Sequence, residues 1–256
     1  MGKYDSFGLQ GKVAIVTGGS EGIGRALALG LAEAGCSVVI AARTQSKLDV
    51  VAAEIAALGA PGLAISADMG QVGEIRRMVD ETVAHFGRVD ILVNNVAWTD
   101  TRPALEVDED EWDRTLDVSL KSMFFASQAV APGMIAQGGG KIINIGSNLA
   151  EVTFAGRVVY STAKAGTHHL TRALANEWAA QGIHVNCVAP CITETPTRAN
   201  LFARPGYREW VEEQMSPIGR WAQPEDMVGA TLYLASNLSD MVVGHILMVD
   251  GGWTIR

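Results

Sequence analysis

Three cysteines, Cys36, Cys187 and Cys191, are too few and odd in number for a disulfide framework, which points to a reducing compartment, the cytoplasm. Cys187 and Cys191 flank Pro190 with no second ligand pair, and His168 and His169 have no carboxylate or thiol spaced to join them, so no metal site is expected. No run of 18 apolar residues exists, which excludes a membrane-spanning helix. The start, Met1 to Ser6, lacks the apolar core of a signal peptide. Gly2 and Ser6 fit a loose myristoylation pattern, and a plain polar lead-in accounts for them as well. Positive charge is in deficit: the net charge of −8 argues against a nucleic-acid surface. Asn237-Leu-Ser239 is a glycosylation sequon by pattern only. No internal repeat or low-complexity segment interrupts the chain.

What is present is a regular alternation of strand and helix patterns, with 48% hydrophobic residues to fill a core. The alternation predicts one doubly wound α/β Rossmann domain over residues 1–256. Apolar runs at Val13–Thr17, Ser37–Ala41, Leu63–Ala67, Ile91–Asn94, Lys141–Ile145, Ile183–Val188 and Ile246–Val249 read as buried parallel strands. Ile75, Met78, Val79, Val83 and Phe86 form the stripe of a helix with one buried face. Glu111 to Ile135 reads as one long, mostly apolar helix of the kind that lines a subunit interface. The irregular stretch from Pro190 to Pro217, with a short helical pattern around Trp210, predicts a lid over a site.

The first strand breaks into Thr17-Gly18-x-x-x-Gly22-x-Gly24, and a helical pattern follows with Leu27, Leu31 and Ala34 on one face. Strand, glycine loop and helix in that order make a cradle for a pyrophosphate, whose charge meets the amides of the helix N-terminus. By itself this is also an ordinary turn. The second strand ends in Ala42-Arg43, where an acid would hold the adenosine ribose and an arginine would accept a 2′-phosphate. That favours NADP, with NAD as the alternative. Glu21 in the loop counts against it, and Arg43 could equally be a solvated side chain. Asp68, closing the third strand, suits an adenine amino group.

Tyr160 and Lys164 lie four apart, on one face of a helix, so an ammonium can lower the pKa of a phenol and make it an acid/base near neutrality. Such a pair alone is commonplace. Ser147, at the carboxyl mouth of the strand Lys141–Ile145, adds a hydroxyl that could hold a substrate oxygen.

With Asn94-Asn95, Pro190 to Thr195 and Asp250-Gly-Gly252, these motifs run in one order along nearly the whole chain, which resembles a classical short-chain dehydrogenase/reductase. The resemblance implies a seven-stranded Rossmann sheet, usually in a homotetramer, and hydride transfer between a nicotinamide and a carbonyl or alcohol carbon. It implies Tyr160 as acid/base, Ser147 orienting the carbonyl, and Lys164 lowering the Tyr160 pKa and holding the nicotinamide ribose. Gly18, Ser20, Gly22, Ile23 and Gly24 would bind cofactor in the glycine loop. Arg43, Asp68, Met69 and Asn95 would do so along the strand ends, and Pro190, Thr193 and Thr195 near the nicotinamide amide. Three departures stand out. Val96-Ala97 replaces Ala-Gly, Cys191 replaces a glycine and so predicts a remodelled turn, and Ser119 replaces the Asn that helps hold a water feeding protons to the lysine, so Ser119 is expected in the catalytic group, its hydroxyl and an added water rebuilding that relay.

For the small-molecule substrate, the aromatics Trp98, Phe154, Phe202, Tyr207 and Trp210 suit an apolar or cyclic ketone. Arg102, Arg157, Arg198, Arg204 and Arg208 suit a sugar acid, through bidentate pairing with its carboxylate. Most of these arginines could also be solvated lid residues. The run from Gly219-Arg-Trp to Trp253 is similar to the sugar-acid branch. Gln181, where 3-oxoacyl reductases commonly carry a basic residue, argues against a carrier-bound acyl chain. A non-catalytic nucleotide sensor is the rival class, against which the joint presence of Ser147, Tyr160 and Lys164 speaks.

Overall fold

The computed structural model describes residues 7–99, 101–215 and 217–255, so the Gly2 and Ser6 pattern lies outside the described residues. In chain order the main elements are β1 (Val13–Thr17), α1 (Gly22–Glu33), β2 (Ser37–Ala42), α2 (Gln45–Ala57), β3 (Gly62–Ser66), α3 (Val72–Phe86) and β4 (Ile91–Asn94). Then come α4 (Glu109–Leu116), α5 (Ser122–Ala136), β5 (Gly140–Ile145), α6 (Val158–Trp178), β6 (Ile183–Pro190), α7 (Ala199–Phe202), α8 (Tyr207–Met215), α9 (Val228–Ala235) and β7 (Ile246–Val249).

The strands form one seven-stranded sheet, all parallel, in the order β3-β2-β1-β4-β5-β6-β7. The order reverses between β1 and β4, and there the carboxyl ends of the strands open a crevice for a ligand. Helices cover both faces: Leu27 and Leu31 of α1, with Ala34 just after it, bury themselves in one core, and Ile75 and Met78 of α3 in the other. Two apolar layers around a buried sheet explain why the strands read as unbroken Val/Ile runs.

Five strand boundaries, one stripe and one long helix depart from the sequence reading. Pairing with β7 carries β6 on to Pro190, and pairing with β2 starts β3 at Gly62 and closes it at Ser66. Gly140 joins β5 by pairing with Ile183, and Ala42 joins β2 by pairing with Ser66. On α3, Val83 is exposed and Thr82 is buried, its hydroxyl donating to the Met78 carbonyl at 2.8 Å. Thr82 stands seven residues after Ile75, close to two full turns, and so falls nearer the buried face than Val83. The single helix expected from Glu111 to Ile135 begins at Glu109, where Asp108 caps it by accepting from the Glu111 amide at 2.8 Å. A π-helical turn at Asp117–Lys121 then divides it into α4 and α5.

Candidate active site

The crevice at the strand ends is a cleft of about 400 Å³ running from Arg43 to Tyr160. Its floor is the glycine loop. Gly18 and Gly22 take φ values of +66° and +55°, a left-handed conformation that favours glycine. A Cβ on Gly24 would sit 2.1 Å from the Gly18 carbonyl oxygen, so Gly24 works from behind the loop while Gly18, Ser20, Gly22 and Ile23 line the cleft. Among the described residues no side chain caps α1, and its first amides point to where an anion could bind. Asn95 braces the loop from the next strand: its side-chain amide donates to the Thr17 and Gly18 carbonyls at 3.1 and 3.3 Å. Val96, in place of the smaller residue that the resemblance leads one to expect, packs against the bare face of Gly18.

At the far end, Arg43, Asp68 and Met69 line the cleft. One Asp68 oxygen accepts from the Gly70 amide at 2.9 Å, and the other has no hydrogen-bond partner among the described residues. Glu21, the residue that argued against a phosphate, is neutralised by Lys47 at 2.6 Å and also accepts from the Thr197 hydroxyl at 3.2 Å. Arg43 and Lys47 both line this end of the cleft, and Glu21 pairs with Lys47. Lys47 escaped the sequence reading; its place in the first turn of α2, four residues past Arg43, was the available signal. Val118 and Arg114, one turn apart on the helix before Ser119, also line the cleft and were also missed.

At the near end stand Ser147, Tyr160 and Lys164. The Ser147 oxygen accepts from the Leu149 amide at 3.1 Å, and its hydroxyl donates to the Asn148 side-chain oxygen at 3.5 Å. Lys164 is buried in α6, donates to the Ile145 carbonyl at 2.7 Å, and lies 5.7 Å from the Tyr160 ring centre. Burial pushes the Tyr160 pKa up, but Lys164, Arg198, the Ser147 hydroxyl and Arg157 together bring it below the ordinary tyrosine value. Pro190, Thr193 and Thr195 line the same end. Cys191 forces no left-handed backbone, since no non-glycine among the described residues has positive φ, so the expected remodelling of its turn carries no such strain. Burial holds its thiol at about 11 and that of Cys187 at about 12, far from the thiolate a reactive cysteine needs.

Ser119 lies on the π turn, fully buried and outside the cleft lining. Its hydroxyl donates to the Trp98 carbonyl at 3.0 Å and accepts from the Trp98 amide at 2.9 Å. A hydroxyl has one donor and two acceptor sites, so this side chain has little left for a water. His168, also buried, bonds Glu151 through Nδ1 at 3.1 Å, and burial lowers its pKa. Among the described residues no cluster of metal-ligating side chains occurs.

Four of the five aromatic side chains pack on other rings and do not line the cleft. Phe154 packs on Trp210 and Trp253 with ring centres 6.2 and 5.4 Å apart, and Phe202 packs on Tyr207 and Trp221, both at 5.5 Å. These rings tie the segment after β6 to the loop before α6 and to the turn after β7. Only Trp98 of the five lines the cleft, held by Arg114 over its ring at 3.6 Å and by its indole N–H to Glu111 at 3.2 Å. Of the five arginines only Arg198 lines it: Arg102 pairs with Asp108, Arg208 with Glu194, and Arg157 donates to Thr99.

A parallel sheet of this order, a glycine cradle at its reversal point and a Ser-Tyr-Lys group at the other end of one cleft define a dinucleotide-dependent oxidoreductase fold. Residues 18–254 match the family described as enoyl-(acyl carrier protein) reductase. The chain belongs to the short-chain dehydrogenase/reductases, a family of oxidoreductases acting on CH–OH groups. It is 42% identical to the 2-dehydro-3-deoxy-D-gluconate 5-dehydrogenase of Escherichia coli (strain K12), with 98% of each chain covered. The crystal structure of a gluconate 5-dehydrogenase from Burkholderia cenocepacia J2315 in complex with NADP and tartrate superimposes with a TM-score of 0.92 at 36% identity, covering 96% of each chain. A 7α-hydroxysteroid dehydrogenase complexed with NADH and 7-oxo glycochenodeoxycholic acid superimposes with a TM-score of 0.94 at 33% identity, covering 100% of this chain and 99% of that one. No helix among the described residues is long and apolar enough to cross a membrane.

Proposed function

We propose that this chain is an NADP(H)-dependent dehydrogenase/reductase that interconverts a secondary alcohol and a ketone on a sugar acid. The observation that carries the reading is the joining, in one cleft, of the Arg43–Lys47 end with the Ser147–Tyr160–Lys164 end. The residues present fit the dinucleotide. Gly18, Ser20, Gly22 and Ile23 would hold its pyrophosphate, Arg43 and Lys47 its 2′-phosphate, and Asp68, Met69 and Val118 its adenine. Thr193, Thr195 and Lys164 would hold the nicotinamide half. Bound there, the cofactor supplies the hydride acceptor or donor.

In the oxidation direction, Ser147 holds the substrate oxygen by a hydrogen bond while the Tyr160 phenolate takes the hydroxyl proton. In reduction the phenol returns that proton to the forming alkoxide. Lys164 keeps the phenolate accessible, and its hydrogen bond to the Ile145 carbonyl fixes where its charge stands. The segment from Pro190 to Pro217 is the lid, fastened to the glycine loop through Thr197 and Glu21. The sugar-acid assignment is supported by the relatives' substrates and by the withdrawal of Phe154, Phe202, Tyr207 and Trp210 from the cleft. We also assign a cytoplasmic homotetramer, for which the half-exposed Trp112 and Ile135 on α4 and α5 offer an apolar contact surface. Initial rates with NADP⁺ and NAD⁺ on gluconate and 2-dehydro-3-deoxygluconate, and with NADPH and NADH on cyclic ketones and β-ketoesters, test the reading. Preference for a cyclic ketone, or tight cofactor binding with no turnover of any substrate, contradicts it.

A further inference from the structure

Most of the arginines around the lid are already engaged. Arg208 pairs with Glu194 and stacks on Phe202 and Trp221, with its guanidinium 5.2 and 4.6 Å from the ring centres. Arg220 holds both oxygens of Asp226 at 2.6 and 2.8 Å. Arg198 differs. It ends the short turn Pro196–Arg198, is half-buried, lines the cleft, and forms no salt bridge among the described residues. It stands at the Tyr160 end, just past Thr195, on the segment that covers the site.

Resting on the sugar-acid reading above, we propose that Arg198 receives the carboxylate of the substrate, so that the cleft selects hydroxy and oxo acids over neutral alcohols and ketones. A guanidinium presents a planar fork of donors that matches a carboxylate in two parallel hydrogen bonds. Half-burial limits the competition from water, and no protein carboxylate has to be displaced before the ligand binds. The lid would then close on the charge of its own substrate, which ties specificity to the covering of the site.

The position has a chemical consequence. Tyr160 is faced by Lys164 from its own helix, by Arg157 from the segment before that helix, by the Ser147 hydroxyl from the end of β5, and by Arg198 from the lid. Pairing Arg198 with a carboxylate removes one of the positive charges that hold the phenol pKa down. Bound acid therefore raises that pKa relative to a bound neutral alcohol. In the oxidation direction, where the phenolate is required, the low-pH limb of kcat lies at higher pH for gluconate than for glucitol. The limb of kcat/KM, which reports the free enzyme, is the same for both.

The test uses the full chain, with gluconate titrated calorimetrically into the enzyme–NADPH complex, an abortive pair that cannot react. Arg198→Ala is expected to weaken gluconate by about ten- to a hundredfold, and Arg198→Lys by less. It should also erase the separation of the kcat limbs between gluconate and glucitol. An equal loss of NADPH affinity overturns the assignment and gives Arg198 to the cofactor phosphates. An equal loss on glucitol overturns it as a general structural effect. A preference for gluconate that survives in Arg198→Ala overturns the assignment alone, whereas a parent enzyme that favours glucitol overturns the sugar-acid reading with it.

Discussion

The two ends of the cleft are built on different principles. At the Arg43 end the backbone does the holding: left-handed glycines, uncapped amides and a close approach between Gly18 and Gly24, with the charged side chains Arg43 and Lys47 exposed at the rim. At the Tyr160 end buried side chains do it, with Lys164 only 1% and Tyr160 8% exposed. An exposed charge can be lost at the cost of affinity for one phosphate. In the proposed mechanism the buried proton donor cannot be lost without the chemistry, because burial is what gives its neighbours their leverage on its pKa.

The sharpest break in that comparison is Tyr160→Phe, which removes the transferable proton and leaves the ring. Turnover should fall by about 100- to 10,000-fold. Cofactor affinity, measured by fluorescence titration with NADPH, should change far less, and a variant keeping a tenth of the parent rate would remove Tyr160 from its role.

Arg43→Ala acts at the other end. A charge-assisted contact to phosphate is worth about 1.5–3 kcal/mol, so the Kd for NADPH should rise roughly ten- to a hundredfold. The Kd for NADH should hardly move, and equal changes for the two cofactors would show that Arg43 does not read the 2′-phosphate.

Between the ends lies Ser119. Replacing it with Ala strips two hydrogen bonds from the Trp98 backbone and should cost about 1–3 kcal/mol of stability in denaturant unfolding. If the geometry is right, the solvent isotope effect on turnover stays at the parent value; a large change would restore Ser119 to a proton relay.

The smallest effect is expected from Glu21→Gln. It releases Lys47 from a half-exposed ion pair of the kind worth up to about 1 kcal/mol, so NADPH should bind up to about fivefold more tightly. Weaker NADPH binding would mean that Glu21, through Thr197, matters more as a fastening of the lid than as a repelling charge.

The backbone-built end was the more legible of the two in the sequence. Gly18, Gly22 and Gly24 announce themselves because few other residues fit, and the strands are unbroken apolar runs because the sheet is covered on both faces. The Tyr160–Lys164 pair was legible through its helical spacing, and Ser147 through its place at a strand end. Side-chain pairings across long separations were not legible. Nothing local says that Lys47 neutralises Glu21, that Glu194 occupies Arg208, or that Ser119 spends its hydroxyl on Trp98. The aromatics misled for the same reason: Phe154 and Trp253 meet only after the chain has closed around the sheet. The π turn at Asp117–Lys121 has no sequence signature either, because Asp-Val-Ser-Leu-Lys serves an ordinary helix as well.

The central claim is that Lys164, Arg198, the Ser147 hydroxyl and Arg157 outweigh burial and make the Tyr160 phenol an acid/base. Ultraviolet difference titration of tyrosinate, parent minus Tyr160→Phe, measures it directly. The account predicts a Tyr160 transition centred below the ordinary tyrosine value of 10.0, and rates of alcohol oxidation, as kcat/KM, that rise through the same pH and level off above it. A transition at or above 10.0, or an oxidation rate that ignores it, would contradict the account.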